Sequence, residues 1–462
     1  MGRLSRGLLL VILLQASASQ VWAEFTLTPG ISLRQEYNDN IFLEEENEED
    51  DFITSVTPTL LMKWEKPRID LSLDARITFQ KYAYNSDEDR VGPGEADQGS
   101  TFNALVRVIP DVFFLRVSDT YQRVPIDEGD RGGEGNNSVN LTDSNRLTIN
   151  PYLQFMPLGD LQLTLGYVYE NIWYGNEDGN APGEDDNDMD DAESHEYSLV
   201  LTKPLSARMS LSLNGSHLQY QPKNPAETYV VNKGAGAYEY DRDTVRIGLN
   251  YQVTEQLQVS GGYGHSWLDY DAREDIDTDI WDASADYEFS NTLVAGIAYS
   301  LSYSVSVADG PSERNHLSAY IAYDDRTQIR LSMFVASEDY VEIDRKSDSY
   351  GGDLVGSLPF TDKFGLSWGL RYTNYDESGS ELRLINVPPP PNSAIPGDSV
   401  MVVPRVIDTS EEYDRYDARL ALYYDTRLGR LSAGYIYTLN ESDLDENDYT
   451  NNLLYLQATL TF

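Results

Sequence analysis

The chain ends in the stretch NLLYLQATLTF, residues 452–462, in which apolar and polar side chains alternate. The apolar positions are Leu454, Leu456, Ala458, Leu460 and Phe462. The positions between them are Tyr455, Gln457, Thr459 and Thr461. Successive side chains of a strand point to opposite faces, so this stretch predicts a β-strand with one apolar and one wetter face. In a membrane barrel, Leu454, Leu456, Leu460 and Phe462 would carry the membrane-insertion signal of the last strand.

The same period of two recurs from about residue 30 to the end of the chain. Residues 69–80 show it most clearly, with an apolar side chain at every odd position and a polar one at every even position. Comparable windows are 161–170, 209–216, 245–251, 281–289, 293–307, 364–372, 416–424 and 431–439. None of these windows has helical spacing, which predicts an all-β chain.

The connections between these windows are of two kinds. Short ones, rich in Pro, Gly, Asn and Asp, lie at 66–68, 110–111, 158–160, 204–207, 254–256, 290–291, 324–327, 361–363 and 427–430. Longer ones alternate with them at 44–51, 86–100, 125–142, 175–193, 221–237, 271–279, 309–314, 342–347, 376–409 and 440–449. This arrangement predicts a transmembrane antiparallel up-and-down β-barrel of about 20 strands, with about 18 and about 22 as alternatives.

The start of the chain predicts export. Arg3 and Arg6 precede an apolar run from Leu8 to Leu14, and small residues follow up to Ala23. We expect residues 1–23 to be a cleaved signal peptide and residues 24–462 to form the barrel in the cell outer membrane. The alternative, an anchor helix, would need an apolar run of roughly 20 residues.

Composition narrows the function classes. The absence of cysteine excludes disulfides and thiolate metal sites, and a formal charge of −43 argues against binding to nucleic acid. The four histidines lack metal-ligand spacing and no G-x-S-x-G motif occurs, so we expect no enzyme, no catalytic residues, no metal and no cofactor. Acidic runs at 44–51 and 184–191 predict a solvated rim; loose bridging by divalent cations is the alternative.

Charged residues at the alternate strand positions that are predicted to face inward form the candidate lumen lining. They are Arg76, Arg107, Arg116, Arg246, Arg330, Arg371, Arg419, Asp70, Asp74, Asp282 and Asp286. Arginines and carboxylates nearly balance along the strands. They form either a structural ladder of ion pairs or a polar lumen that contacts an anionic or hydroxyl-rich solute.

Tyrosine is the preferred aromatic residue, with 33 Tyr against 13 Phe and 6 Trp. A ring with a polar tip suits the membrane interface. The predicted girdle consists of Tyr82, Tyr84, Tyr167, Tyr169, Tyr174, Tyr263, Tyr287, Tyr372, Tyr375, Tyr435 and Tyr437. The alternative is a sugar-stacking row inside the lumen, formed by Tyr152, Tyr320, Tyr423 and Tyr455.

A resemblance lies in two segments near the start of the mature chain. Residues 36–42, EYNDNIF, are followed after an acidic run by residues 51–58, DFITSVTP. This pattern resembles the putative β-barrel porin type 2 family. The resemblance implies an outer-membrane barrel and, because some members are associated with exopolysaccharide secretion, a role in polysaccharide export with a separate periplasmic partner.

Two classes of function follow. The first is a channel, for polysaccharide export or for diffusion of small solutes; the second is a structural or adhesive surface barrel with a closed lumen. A barrel of about 20 strands is too wide for side chains alone to fill, which favours the channel. The proline-rich loop 376–409 either constricts that channel or stands in solvent. Expected partners are outer-membrane lipid, lipopolysaccharide and the barrel-insertion machinery.

Overall fold

The computed structural model describes residues 25–94, 99–125, 132, 139–175, 191–223, 239–271, 274–306, 310–340, 344–387, 401–408, 410–444 and 447–462. The predicted signal peptide and most of the acidic run 184–191 lie outside the described residues. Within the described ranges, no helix is long and apolar enough to cross a membrane.

The described residues form 23 strands and a single turn of 3-10 helix at Ser86–Glu88. The strands are β1 Phe25–Asn38, β2 Asp51–Lys66, β3 Ile69–Arg76, β4 Thr78–Tyr82, β5 Arg90–Gly92, β6 Ser100–Ile109, β7 Phe113–Pro125, β8 Leu141–Leu158, β9 Leu161–Gly175, β10 Ala192–Ser206, β11 Met209–Pro222, β12 Tyr240–Gln252, β13 Leu257–Tyr270, β14 Ile276–Ser290, β15 Leu293–Ser306, β16 Gly310–Asp324, β17 Gln328–Tyr340, β18 Asp344–Pro359, β19 Phe364–Val387, β20 Met401–Asp408, β21 Glu411–Asp425, β22 Gly429–Ser442 and β23 Tyr449–Thr461.

The sheet closes on itself. Neighbouring strands pair antiparallel around the ring, and β1 pairs both with β2 and with β23, from Gly30↔Thr461 to Asn38↔Leu453. Strands β3 and β4, separated by Ile77, both pair with β2 and form one barrel strand, whereas β5 pairs only with β4 and β20 only with β19. The described residues therefore form a closed barrel of twenty strands, which confirms the predicted fold class and strand count.

The register gives this barrel two chemically different faces. On β12, Ile247 partners Leu213 and Tyr263, whereas its neighbour Arg246 partners Asn214 and Gly264. We call the face of Ile247 the apolar face and the face of Arg246 the polar face. Following the register around the ring, the apolar face carries exposed large side chains such as Leu33, Met333, Leu370, Leu420 and Leu456. Alternation of apolar and polar residues, the signal read from the sequence, thus matches the pleat of each strand.

The two ends of the barrel differ as predicted. Each of the nine short turns predicted from sequence overlaps a short connection at one end, here the turn end, where Asp111 and Gly159 adopt positive φ values of 63° and 57°. The longer connections lie at the opposite end, here the loop end.

Three predicted loops are wrong in their boundaries at the loop end. Strand β16 already begins at Gly310 and β18 at Asp344, so most of 309–314 and 342–347 is strand. Strand β19 continues to Val387 and pairs with β20 as a two-stranded ribbon, from Ser380↔Asp408 to Val387↔Met401, where the sequence predicts a loop. At the starts of β16 and β18 the sequence is polar, so backbone pairing continues where apolar periodicity has no signal.

A charge placed on the apolar face should be far more costly than the same charge on the polar face. Met333 is 55% exposed on the apolar face, whereas Ser332 lies on the polar face opposite Asp353 and Tyr320. Because an arginine facing mid-bilayer hydrocarbon costs about 2 to 4 kcal/mol, Met333→Arg should lower the free energy of unfolding in lipid vesicles by that order. Ser332→Arg, the control, should change it little. Equal losses in denaturant titrations of the two variants would contradict this assignment of faces.

Candidate functional site

The register brings all eleven charged residues of the candidate lumen lining onto the polar face. The set comprises Asp70, Asp74, Arg76, Arg107, Arg116, Arg246, Asp282, Asp286, Arg330, Arg371 and Arg419. Several pair with each other: Arg76 donates two hydrogen bonds to Asp74, at 2.7 and 2.6 Å, and Arg107 donates to Asp70 at 2.6 Å. These side chains are part-exposed, so each pair contributes at most about 1 kcal/mol to stability.

Arg246 lies flat along the polar face. Its guanidinium donates to Asp282, which stands on β14, two strands away. The guanidinium passes over Gly262 of β13, where a Cβ would lie only 2.2 Å from Arg246 Nη2. Glycine at this position therefore permits the close approach, and the long side chain stays near the backbone of the sheet.

Tyr320 uses the same arrangement. Its hydroxyl donates to Asp286 Oδ1 at 2.8 Å across Gly296, where a Cβ would lie 2.4 Å from Tyr320 Cε1. The guanidinium of Arg330 lies over the Tyr320 ring, 4.7 Å from its centroid. The phenol is thus fixed at its tip by a carboxylate and on its face by a cation, an attraction worth about 0.5 to 1 kcal/mol at exposed sites.

The other tyrosines of the predicted stacking row also lie on the polar face. Arg430 covers the ring of Tyr423 at 4.3 Å and Arg34 covers Tyr455 at 4.5 Å. Tyr152 instead stacks on Phe114, with ring centroids 4.9 Å apart. Three of the four rings therefore carry a guanidinium on one face, a feature that sequence parity does not reveal.

Small residues fill much of the polar face between these groups. Across β13 to β16, successive partners in one row of the register are Ser260, Ser284, Ala298 and Ser318. Ser260 and Ser284 hydrogen-bond to each other at 2.7 Å. Small side chains next to long ones that lie flat leave little bulk projecting from this part of the face.

At the loop end, the segment Asn38–Asp39–Asn40 joins the first strand to the last. The Asp39 carboxylate accepts hydrogen bonds from the backbone N–H of Asn452 at 2.7 Å and from its side-chain amide at 2.8 Å. Asn40 donates to the carbonyl oxygens of Glu44 at 2.7 Å and of Thr450 at 3.1 Å. We call these contacts the seam clasp. They fall on the YNDN residues that carry the family resemblance.

The first loop, residues 39–50, combines a buried apolar start with most of the acidic run 44–51, for which the sequence predicts a solvated rim. Ile41 and Leu43 are 2% and 1% exposed, while residues 45–50 are exposed. Ile41 packs against Ile53 and Tyr82, and Leu43 against Val139 and Tyr449. Residues 40–43, which precede the predicted rim at 44–51, are therefore largely buried, whereas residues 45–50 are exposed as predicted. In the sequence, the two apolar residues Ile41 and Leu43 next to the acidic run were the signal that could have predicted this burial.

The predicted rim is wrong at its last residue, Asp51, which is not solvated. It is fully buried, and its carboxylate accepts hydrogen bonds from the backbone N–H groups of Ala83, Tyr84 and Asn85. Nearby, hydrogen bonds from Lys81 and from the Tyr82 backbone lower the pKa of the Asp89 carboxyl. In the described part of the chain, no group of three or more His, Asp or Glu residues could hold a metal ion.

The tyrosine girdle needs one correction. Tyr82, Tyr174 and Tyr375 lie on the polar face and not on the lipid-facing side. Tyr82 and Tyr174 are also buried. Near the loop end, tyrosine thus occurs at inward positions as well as outward ones. The register places the other strand residues of the set on the apolar face: Tyr167, Tyr169, Tyr263, Tyr287, Tyr372, Tyr435 and Tyr437. Tyr84 follows β4 and is 68% exposed.

Comparison with known proteins gives a family similarity for the first strands of the chain. The profile of the family described as "Putative beta-barrel porin 2" matches residues 21–93, which include β1 to β5 and confirm the resemblance carried by residues 36–58. The match covers the first strands of the closed twenty-strand sheet, and this part of the barrel is similar to that porin family. No curated protein matches the sequence.

Similar solved structures include three bacterial iron-uptake proteins. The siderophore receptor PirA from Pseudomonas aeruginosa is 8% identical with a TM-score of 0.45, covering 94% of this chain and 80% of its own. The FrpB iron transporter from Neisseria meningitidis is 8% identical with a TM-score of 0.44, and the match covers 94% of this chain and 81% of the transporter chain. The ferric-catecholate import receptor Fiu from E. coli K12 is 9% identical with a TM-score of 0.40, and the match again covers 94% of this chain and 81% of the receptor chain.

Gly262→Val should uncouple Arg246 from Asp282, because the new side chain would occupy the path of the guanidinium. A double-mutant cycle with Arg246→Ala and Asp282→Asn measures the coupling. In the wild type we expect up to about 1 kcal/mol for this part-exposed pair, and none in the Gly262→Val background. Gly215→Val, where a Cβ would meet nothing within 4 Å, is the control and should preserve the coupling. An undiminished coupling in Gly262→Val would show that the glycine is not needed.

Proposed function

We propose that this chain is an outer-membrane channel whose polar face encloses a water-filled lumen for hydroxyl-rich solutes. The observation that carries the proposal is the arrangement of side chains on the polar face, where small residues lie between long side chains that extend along the sheet. A barrel closed by its own side chains would need bulky residues at positions such as Ser260, Ser284 and Ala298. The structural or adhesive barrel with a closed lumen is therefore disfavoured.

Barrel width supports the same proposal. About eight strands give an interior that side chains can fill, whereas barrels of about 16 to 18 strands leave an aqueous channel. A closed ring of twenty described strands is wider than either. The groups on the polar face, guanidinium, phenol and carboxylate, offer both donors and acceptors to hydroxyl groups.

The proposed location follows from the apolar face. Exposed Leu454, Leu456 and Phe462 on the last strand would meet lipid and, with Leu460, present the insertion signal to the barrel-insertion machinery. The loop end would face outward, beside lipopolysaccharide, and both ends of the mature chain would lie on the periplasmic side.

Export of an exopolysaccharide is the second candidate. The family resemblance favours it, and so do the arginine-covered rings of Tyr320, Tyr423 and Tyr455, which would offer repeated contacts to a sugar chain. Such export would need a separate periplasmic partner. A deletion strain that loses surface polysaccharide would support export, whereas normal polysaccharide together with slower sugar uptake would support plain diffusion.

Cysteine substitution separates a water-filled lumen from a closed one, since the chain has no native cysteine. Cysteines at Arg76, Arg246, Arg330 and Arg371 should react with a small charged thiol reagent in intact outer membranes. Cysteines one residue away, at Ile77, Ile247, Leu331 and Leu370, should face lipid and react at least several-fold more slowly. Unreactive thiols at all eight positions would contradict the channel, and equal reactivity in each pair would contradict the assignment of faces.

A further inference from the structure

The polar face is covered more closely near the loop end than at mid-barrel. On the strands around the β1–β23 seam, inward side chains near the loop end are almost fully buried: Glu36, Asn38, Ser55, Gln80, Thr438 and Asn451 range from 1 to 7% exposed. The same holds on β13, β14 and β16, where Ser266, Thr278 and Ser312 are 0 to 4% exposed. At mid-barrel, side chains of this face such as Gln457, Ser260 and Ser284 are only half-buried. Backbone pairing alone does not bury a side chain that points into an open lumen, so chain must lie over the loop end of the polar face, including its seam side.

On the seam side, the first loop forms part of that cover. Leu43 contacts Val139, two residues before β8, and Tyr449, the first residue of β23. The Tyr449 hydroxyl also hydrogen-bonds to the backbone of Gly132, which lies between β7 and β8. Six steps around the ring separate β23 from β8, or about 29 Å along the sheet at about 4.8 Å per strand. Contacts between these elements therefore run across the opening of the barrel.

We infer that the first loop, residues 39–50, is the constriction of the proposed channel, that the seam clasp holds it there, and that its carboxylates select cations and neutral solutes over anions. The inference rests on the proposed function. The loop carries Glu44, Glu45, Glu46, Glu48, Glu49 and Asp50, and no basic residue. Carboxylates beside a narrow opening raise the local concentration of cations and repel anions.

The seam clasp stabilises a loop conformation that is unfavourable by itself. Six carboxylates repel each other, and Leu43 and Asn47 adopt positive φ values of 53° and 65°, which cost free energy in residues other than glycine. Burial of Ile41 and Leu43 and the hydrogen bonds of Asp39 and Asn40 offset these costs. Without the clasp, the extended, open conformation of the loop is favoured.

The test is the single-channel conductance of the full-length mature protein in planar bilayers. Asp39→Ala/Asn40→Ala should conduct several-fold more than the wild type and should lose most of its cation selectivity, read from the reversal potential in a salt gradient. Ser32→Ala/Thr459→Ala is the matched control, because it removes a hydroxyl contact of 3.2 Å at the same seam, nearer the turn end. This control should leave both values unchanged.

A second variant covers the case in which the clasp variant fails to fold. Ile41→Ser/Leu43→Ser removes the buried side chains of the loop and leaves the seam hydrogen bonds intact, and it should raise conductance in the same way. Glu44→Gln/Glu45→Gln/Glu46→Gln should lower the cation selectivity several-fold with little change in conductance. Wild-type conductance in both loop variants, or unchanged selectivity in the triple variant, would overturn the inference.

The reactivity of a cysteine at Arg330 separates failure of the inference from failure of the channel. A reactive thiol together with unchanged conductance in the loop variants would leave the channel standing and remove the first loop as its constriction. An unreactive thiol in the wild type and in every variant, with no conductance, would remove the channel and the constriction together.

Discussion

The hydrogen bonding of the backbone is the constraint on which this structure depends. An unpaired N–H or C=O group in hydrocarbon costs several kcal/mol, so a sheet in a bilayer is stable only when it has no edge. The β1–β23 pairing removes that edge, from Gly30↔Thr461 to Asn38↔Leu453. Closure then fixes which side of every strand faces inward, so that Ile69 lies on the apolar face and Gln457 on the polar face. The chemistry of the polar face is a consequence of closure as much as of composition.

Closure also links the family motif to the proposed channel. The YNDN residues stand where β1 leaves the barrel, and Asp39 and Asn40 bind β23 there. The same few residues thus end the seam and begin the first loop, in which Ile41 and Leu43 are buried. On the opposite side of the ring, small residues such as Ser260 and Ser284 line the polar face at mid-barrel. The loop end is therefore covered, whereas the mid-barrel polar face carries little bulk.

Sequence alone predicts the parts of this structure that a bilayer dictates. Alternation such as Ile69 to Gln80 requires one lipid-facing side, so strand count, turn positions and the placement of Arg246 or Asp282 follow from it. Above the membrane this requirement disappears. Strands continue through polar sequence, as at Gly310 and Asp344, and Tyr174 lies on the polar face rather than in the girdle. The burial of Leu43 depends on contacts with Val139 and Tyr449, distant in sequence, which periodicity cannot detect.

Closure at the β1–β23 seam is tested most directly by a disulfide across it. Ser32 and Thr459 are register partners whose hydroxyls lie 3.2 Å apart, so Ser32→Cys/Thr459→Cys should oxidise readily in folded protein in the outer membrane. The bond would make almost the whole mature chain one covalent ring, seen as faster gel migration after heating that reductant reverses. Leu33→Cys/Thr459→Cys, with thiols on opposite faces, should not form it. No bond in the first pair, or equal bonding in both, would contradict a closed barrel in this register.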